Sequence, residues 1–342
     1  MGSLRFALAV IVAVGHLADT GQIGFLAVFG FYLLSGYLIT RALNDVYHFR
    51  ALPFAANRAL RLMPMYYAVL LLTLGAILVW PNEAASFKPE WDLNAAGHRE
   101  FWSNALIVPY LTGGMQFRLV PPSWSLAVEL AQYALLWLVI ARRQSFALIA
   151  LLIAIAYHFR SLGVGEPFGP RYTPLLAALL PFSVGALLYF GLRERRISLP
   201  TWPILAAWAS VVAIAVFVKP HGHLWDAIFY LNLILIALCV VALAPHDFGR
   251  LDRSLGELSY PVFLVHWLVG LGLSGWLGNR SLGLAVVSLP IIFCVSSLLV
   301  RGSNALIEPL RDSIRLRALR NGTTAPPPAA PAPLAATAGQ PR

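Results

Sequence analysis

The sequence predicts an all-α fold with about ten membrane-spanning helices. Of its 342 residues, 59% are hydrophobic and only 12% are charged, and the mean hydropathy of +0.72 is too high for an ordinary water-soluble domain. Apolar stretches long enough to cross about 30 Å of hydrocarbon as a helix recur along the chain. No stretch shows the alternating pattern of about ten residues that a transmembrane barrel strand requires. The chain is therefore predicted to be a polytopic helical membrane protein.

The predicted spans follow one another from the first residues to about residue 302. They cover residues 4–19, 23–43, 62–80, 123–141, 145–159, 173–191, 202–218, 225–244, 258–277 and 282–302. Helices satisfy their own backbone hydrogen bonds, so they are stable in lipid. One transmembrane domain, residues 1–320, contains all ten spans. The Pro- and Ala-rich tail, residues 321–342, is expected to be disordered because it has little apolar bulk to bury.

Basic residues concentrate in every second loop, which predicts the orientation of the chain. The basic loops hold Arg41, Arg50, Arg58 and Arg61; Arg142 and Arg143; Arg193, Arg195 and Arg196; Arg250 and Arg253; and Arg311, Arg315, Arg317 and Arg320. Because cytoplasmic loops retain positive charge, both termini are predicted to be cytoplasmic. The longest loop of the other set, between the third and fourth spans, balances Lys88 and Arg99 with four acidic residues and is predicted to lie outside. The formal net charge of +10 then reflects topology and attraction to membrane lipid, and nucleic acid is not an expected partner.

The first span carries an arginine, Arg5, and a histidine, His16, eleven positions apart. In a helix this spacing places both side chains on one face, separated by about 16 Å along the axis. An ionisable side chain inside a span needs a partner or a water-filled cavity. The pair is thus a candidate site, although a snorkelling arginine and a histidine near the helix end would also explain it.

The second and third spans contribute small residues and an arginine pair. Gly30, Ser35 and Gly36 in the second span favour close helix packing. Arg58 and Arg61 are three apart where the third span begins, so both guanidinium groups could hold phosphates bidentately. The alternative is that Arg58 and Arg61 bind no ligand and are only part of the positive charge on the cytoplasmic side. Tyr66 follows in the same span and could contact a ligand or lie at the membrane interface.

Polar residues also mark the fourth and ninth spans. Ser125 and Glu129 are four apart at the outer end of the fourth span, beside Trp124, which suits the aromatic belt of a membrane protein. Glu129 lies inside the span, where a carboxylate needs a partner; a structural hydrogen bond is the alternative to a catalytic role. His266 lies eight residues into the ninth span and is either a hydrogen-bonded core residue or part of a site.

In order and spacing, these motifs resemble the membrane-bound acyltransferase family 3, which includes O-acetyltransferases of bacterial lipopolysaccharide and exopolysaccharide. The matching elements are Arg5 with His16, the R-x-x-R pair Arg58 and Arg61, the W-S-L-x-x-E motif ending at Glu129, FYLLSGYLIT in the second span, and LSYPVFLVH, where Phe263 replaces a tyrosine. The resemblance runs from residue 4 to about residue 310. An acidic residue that many members carry early in the second span is missing here.

The resemblance implies transfer of an acyl group, usually acetyl, from cytoplasmic acetyl-CoA to a hydroxyl of a glycan or lipid-linked saccharide outside the bacterial inner membrane. His16 would act as base or transient acyl carrier, Glu129 would orient or charge-balance its ring, and Arg5 would be a further catalytic residue. Arg58, Arg61 and Tyr66 would bind the acyl-CoA, and Trp124, Ser125 and His266 would contact the acceptor. No metal and no permanently bound cofactor are expected.

Two other classes of function remain open at this stage. A transporter or flippase for a lipid-linked sugar would use buried charges to line a path, although the sequence shows no repeated halves with broken helices. A non-catalytic scaffold of a glycan assembly would need neither His16 nor the arginine pair. Consumption of acetyl-CoA would distinguish an acyltransferase from both.

Overall fold

A computed structural model of the chain describes residues 1–20, 22–107, 117–163, 168–194, 197 and 199–323. All regular structure in these residues is helical, which confirms the all-α prediction. Arg195, Arg196 and most of the predicted disordered tail, residues 324–342, lie outside the described residues. The residues just before this boundary, up to Thr323, still belong to a helix.

The described residues form thirteen α-helices. They are α1 (Gly2–Leu17), α2 (Ile23–Ala42), α3 (Ala51–Val79), α4 (Pro81–Phe87), α5 (His98–Leu106), α6 (Ser123–Leu138), α7 (Gln144–Gly163), α8 (Leu175–Glu194), α9 (Thr201–Val218), α10 (Gly222–Leu243), α11 (Gly249–Leu277), α12 (Leu282–Leu306) and α13 (Glu308–Thr323). A π-helical turn, Leu43–Tyr47, prolongs α2. Each of the ten predicted spans coincides with one of these helices.

Eight helical segments among the described residues are long and apolar enough to cross a membrane: α2, α3 and α7 to α12. The remaining two predicted spans, α1 and α6, are apolar helices of 16 residues each. A chain with several such helices is a multi-pass membrane protein. The number of ten spans and the cytoplasmic placement of the termini stay predictions.

Close glycine contacts fix the centre of the bundle. A Cβ on Gly36 of α2 would lie 2.4 Å from the carbonyl oxygen of Phe182, and a Cβ on Gly185 of α8 would lie 2.2 Å from that of Leu33. No real side chain tolerates such distances, so the two backbones touch because both positions are glycine. The predicted packing role of Gly36 is confirmed by these contacts.

The segment between α3 and α6 folds back onto the helices at one end of the bundle. The hydroxyl of Tyr66, in the middle of α3, donates to the carbonyl of Asn104 in α5 (2.7 Å), and Tyr67 donates to Ala105 (2.7 Å). Tyr66 lies thirteen residues before Val79, so α5 reaches about 20 Å down α3. The segment, which includes the fully buried Trp91, lies over this end of the bundle. We call this the covered end.

Helix α13 lies at the opposite end, against the start of α3 and the π-helical turn. The side-chain amide of Asn57 donates to the carbonyl of Arg311 (3.1 Å), and Ala318 is buried. The sequence of α13 is rich in arginine, and this helix lies beside the ends of the spans. We call this the basic end of the bundle.

Candidate active site

A cavity of about 470 Å³ opens at the basic end of the bundle, and we call it the arginine cavity. Six arginines from four helices line it: Arg5, Arg41, Arg58, Arg61, Arg311 and Arg315. The carboxylates on its wall are Asp45, Glu129, Glu308 and Asp312. Apolar side chains, including Phe31 and Phe263, line the remainder. The cavity therefore offers excess positive charge and an apolar wall.

Three of these arginines have no polar partner in the part of the chain that the structure describes. The side chains of Arg5, Arg58 and Arg61 form no hydrogen bond and no ion pair with any described residue, and Nε of Arg58 is buried. Leaving a partly buried guanidinium unpaired is costly, because its hydration is not replaced. A ligand with ionised phosphate groups would supply the missing acceptors.

Tyr66 does not belong to this cavity, in contrast to the sequence prediction. Its side chain is fully buried, and its hydroxyl donates to Asn104 of the folded-back segment. The side chain of Tyr66 lies outside the arginine cavity. Arg58 and Arg61, which line the cavity, lie one to two turns earlier on α3, nearer the basic end. The contacts of Tyr66 point to a structural role, which is to hold α5 against α3.

Glu129 lies on the wall of the arginine cavity. Its Oε1 accepts hydrogen bonds from the hydroxyls of Ser35 (2.6 Å) and Tyr133. Ser35 comes from α2, and Tyr133 follows Glu129 by one helical turn on α6. These bonds orient the carboxylate and place one negative charge among the unpaired arginines.

The first turn of α6 separates this cavity from a second one. Ser125 lines the arginine cavity, whereas its neighbour Trp124 lines the second cavity. The hydroxyl of Ser125 donates to the carbonyl of Pro122 (2.8 Å). The predicted acceptor contacts at Trp124 and Ser125 therefore fall on two different cavities, and only Trp124 accompanies His16.

The second cavity has a volume of about 350 Å³ and lies at the covered end; we call it the histidine cavity. Its lining residues are His16, Lys88, Glu90, Arg118, Pro121, Pro122, Trp124 and Trp267. Four elements meet there: the end of α1, the folded-back segment, the start of α6 and α11. Aromatic faces with a few hydrogen-bonding groups are a lining typical of small-molecule sites.

His16 contacts a second histidine at this cavity. Its Nδ1 lies 2.9 Å from Nε2 of His266, and the two rings are stacked with centroids 5.1 Å apart. His266 is fully buried, and the ring of Trp267 also packs against His16, with centroids 5.2 Å apart. His16 itself is partly exposed to the cavity. One ring nitrogen of His16 is thus held by His266, and Nε2 is left for a ligand.

A lysine of the folded-back segment lies against this aromatic group. Nζ of Lys88 is 3.0 Å from the carboxylate of Glu90 and 4.5 Å from the centroid of the Trp267 ring. Burial lowers the pKa of Lys88, and the hydrogen bond to Glu90 partly offsets this effect. Lys88 therefore fastens the segment over the histidine cavity.

Helix α1 connects the two cavities. Arg5 lines the arginine cavity, and His16 lines the histidine cavity about 16 Å further along the same helix. Glu129 and Arg5 therefore do not contact His16, although the sequence analysis expected Glu129 to orient that ring. The orienting contact comes instead from His266, which was predicted to bind the acceptor.

Sequence reasoning missed several residues that line the two cavities. Arg311 and Arg315 were interpreted only as cytoplasmic charges, and Lys88 only as part of an outer loop. Tyr133 lies one turn after Glu129, a spacing that could have indicated a hydrogen bond between them. Arg315 lies one turn after Arg311, and this repeat could have indicated a charged helix face.

Fold and site together define a multi-pass helical membrane protein with a phosphate-compatible cavity at one end and a histidine pair at the other. A family model of an acyltransferase domain, acyltransferase family 3, matches residues 2–301, and the chain belongs to this family. The chain is also similar to a protein of Komagataeibacter xylinus whose name describes it as a membrane-bound transacylase, BcsY. The two are 24% identical over 286 residues, which cover 77% of this chain and 70% of the relative. No solved structure matches the chain significantly.

Proposed function

We propose that this membrane acyltransferase moves an acyl group, most simply acetyl, from cytoplasmic acyl-CoA to a hydroxyl of a glycan or lipid-linked saccharide on the other side of the membrane. One observation carries the proposal: a single helix, α1, exposes Arg5 in the arginine cavity and His16 in the histidine cavity. Donor and acceptor could thus enter from opposite faces and meet near His16.

The arginine cavity suits the donor. CoA carries a diphosphate and a ribose phosphate, and guanidinium groups bind such oxygens in bidentate fashion. The excess of basic residues at this end supports a cytoplasmic location, where acyl-CoA is available. The apolar residues of the cavity would accommodate the pantetheine arm, and the thioester would pass the first turn of α6 to reach His16.

The histidine pair suits general base catalysis. For Nε2 of His16 to accept a proton from the acceptor hydroxyl, the proton between the rings must lie on Nδ1 of His16, so Nε2 of His266 is its acceptor. The acceptor oxygen would then attack the thioester carbonyl, its proton would pass to His16, and the C–S bond would break. The CoA thiolate would leave and recover the proton.

The histidine cavity suits a sugar acceptor. The indole ring of Trp124, which is partly exposed, offers an apolar face for a pyranose ring, and the exposed carboxylate of Glu90 offers a polar group for its hydroxyls. Aromatic faces with a few polar groups are typical of sites that orient a polar ring. This chemistry supports a glycan rather than a fatty acceptor.

The proposal is tested with purified protein in detergent, acetyl-CoA and a panel of envelope glycans. We expect acetyl-CoA to be consumed only when an acceptor is present, and the His16→Gln variant to lose at least about a hundredfold in rate. The exposed His246→Gln variant is the matched control and should keep the parent rate. Transfer by His16→Gln at the parent rate, or no acetyl-CoA consumption with any acceptor, would contradict the proposal.

A further inference from the structure

Helix α13 lies beyond residue 301, where the match to the family model ends, yet it forms part of the arginine cavity. Arg311 and Arg315 are four residues apart, so they share one helix face, and both line the cavity. Nε of Arg311 is buried without a hydrogen-bond partner. The donor cavity thus includes charged groups from outside the residues that match the family model.

The arginines of the cavity form two layers. Arg5, Arg58 and Arg61 are partly buried inside the bundle and constitute the deep layer. Arg41, whose side chain is 59% exposed, and Arg315 of α13, which is also exposed, constitute the mouth layer. Arg311, one turn before Arg315 on α13 and 18% exposed, adjoins this layer. A ligand that enters from the basic end passes the mouth layer first.

The two layers differ in charge balance. The deep layer has three guanidinium groups and one carboxylate, Glu129, and therefore carries an excess of positive charge. At the mouth, Arg41 pairs with Asp45 (3.7 Å), Arg311 pairs with Glu308, and Asp312 supplies a third carboxylate. Arg315 is exposed and forms no ion pair with a described residue.

Resting on the proposed function, we propose that Arg315, with Arg311, forms a subsite on α13 for the 3′-phosphate of CoA, a phosphate monoester. The order of groups along the coenzyme supports this assignment. With the thioester directed toward His16, the diphosphate follows the pantetheine arm and reaches the deep layer. The ribose 3′-phosphate is attached further out, at the level of the mouth layer. The carboxylates there keep this subsite weaker than the deep layer.

The test compares CoA with 3′-dephospho-CoA, which lacks only this phosphate, by calorimetry on the full chain in detergent. We expect the parent protein to bind CoA more tightly, by about tenfold, since one charge-assisted contact at a partly exposed site has about this effect. Arg315→Ala should remove most of this preference, by lowering the affinity for CoA toward that for dephospho-CoA and leaving the latter unchanged. Arg317→Ala, which removes an exposed arginine of the same helix outside the cavity, is the matched control and should preserve the preference.

Three outcomes would overturn the inference. Equal affinity of the parent protein for CoA and 3′-dephospho-CoA would show that no group of the protein binds the 3′-phosphate. Equal losses for both ligands in Arg315→Ala would show that this residue acts elsewhere. Neither result would affect the proposed acyl-CoA donor, whereas absence of any CoA binding to the parent would overturn the donor assignment as well.

Discussion

Arg5, Arg58 and Arg61 place three positive charges beside a single carboxylate in a partly buried cavity. Such charges are destabilising unless an anion compensates them, so their unpaired arrangement suits an anionic ligand better than a role in folding. Glu129 forms no ion pair with them, and its Oε1 accepts hydrogen bonds from Ser35 and Tyr133 instead. At the residue scale, this imbalance is the main evidence for an anionic donor.

Replacing Arg58 or Arg61 with alanine should weaken binding of CoA by about tenfold or more, since each change removes a charge-assisted contact. Lysine should restore affinity only in part, because it lacks the bidentate fork. Calorimetry on folded protein measures both effects. Arg143→Ala, at an exposed position outside the cavity, is the control. If both alanine variants bound CoA as tightly as the parent protein, Arg58 and Arg61 would not be part of the donor site.

His266 should act as a positioning residue for His16. His266→Asn should lower the rate of transfer by about 10²- to 10⁴-fold while CoA binding persists, because the tautomer of His16 is no longer fixed. The pH profile is the diagnostic readout. In the parent, the rate should fall as pH decreases through the pKa of the histidine pair, since a protonated His16 cannot accept a proton. A variant with reduced stability but an unchanged rate and profile would show that His266 is only structural.

Single-helix geometry was predictable from the sequence, but contacts between distant residues were not. The spacing of Arg5 and His16 placed them on one face and at opposite ends of α1. His266, however, is 250 residues from His16, and helical periodicity does not determine which helices become neighbours. The same limit explains why Glu129 was expected to contact His16, whereas its hydrogen-bond partners are Ser35 and Tyr133.

At the scale of elements, α2 and α8 form a rigid contact beside the site. Gly36 and Gly185 allow their backbones to touch, and Ser35, which orients Glu129, precedes Gly36. The position of Glu129 in the arginine cavity therefore depends on this contact. A separation of the two helices would move the hydroxyl that holds the carboxylate.

Gly36→Ala should lower the free energy of unfolding by about 1–3 kcal/mol, because its Cβ would clash with the backbone of α8. Thermal unfolding in detergent measures the loss. Gly75→Ala in α3 is the control, since nothing lies within 4 Å of its Cβ and alanine favours a helix. If Gly36→Ala were as stable as Gly75→Ala, the close contact between α2 and α8 would be refuted.

Elements defined by strong apolar periodicity were predicted well, and elements defined by tertiary contacts were not. All ten predicted spans coincide with helices, because hydrophobicity alone determines such segments. The segment between α3 and α6 was expected only as an outer loop, yet it reaches the middle of α3 through Tyr66. Helix α13 is polar, and its place on the arginine cavity depends on contacts such as that of Asn57 with Arg311.

At the scale of the whole molecule, the two cavities lie at opposite ends of one bundle and are joined by α1. A transporter would move a single substrate between them, whereas an acyltransferase uses one cavity for the donor and the other for the acceptor. The different linings favour the second arrangement: the arginine cavity suits phosphates, and the histidine cavity combines aromatic rings with a base. Membership of acyltransferase family 3 agrees with this interpretation.

The sidedness of acyl transfer tests this central claim most directly. Sealed membrane vesicles of both orientations, from cells that express the chain, are supplied with externally added radiolabelled acetyl-CoA, and incorporation of label into envelope glycan is measured. We expect incorporation only in inside-out vesicles, where the basic end faces the added acetyl-CoA, and none with His16→Gln in either orientation. Incorporation by intact right-side-out vesicles at an equal rate, or by His16→Gln at the parent rate, would contradict the arrangement of donor and acceptor sites.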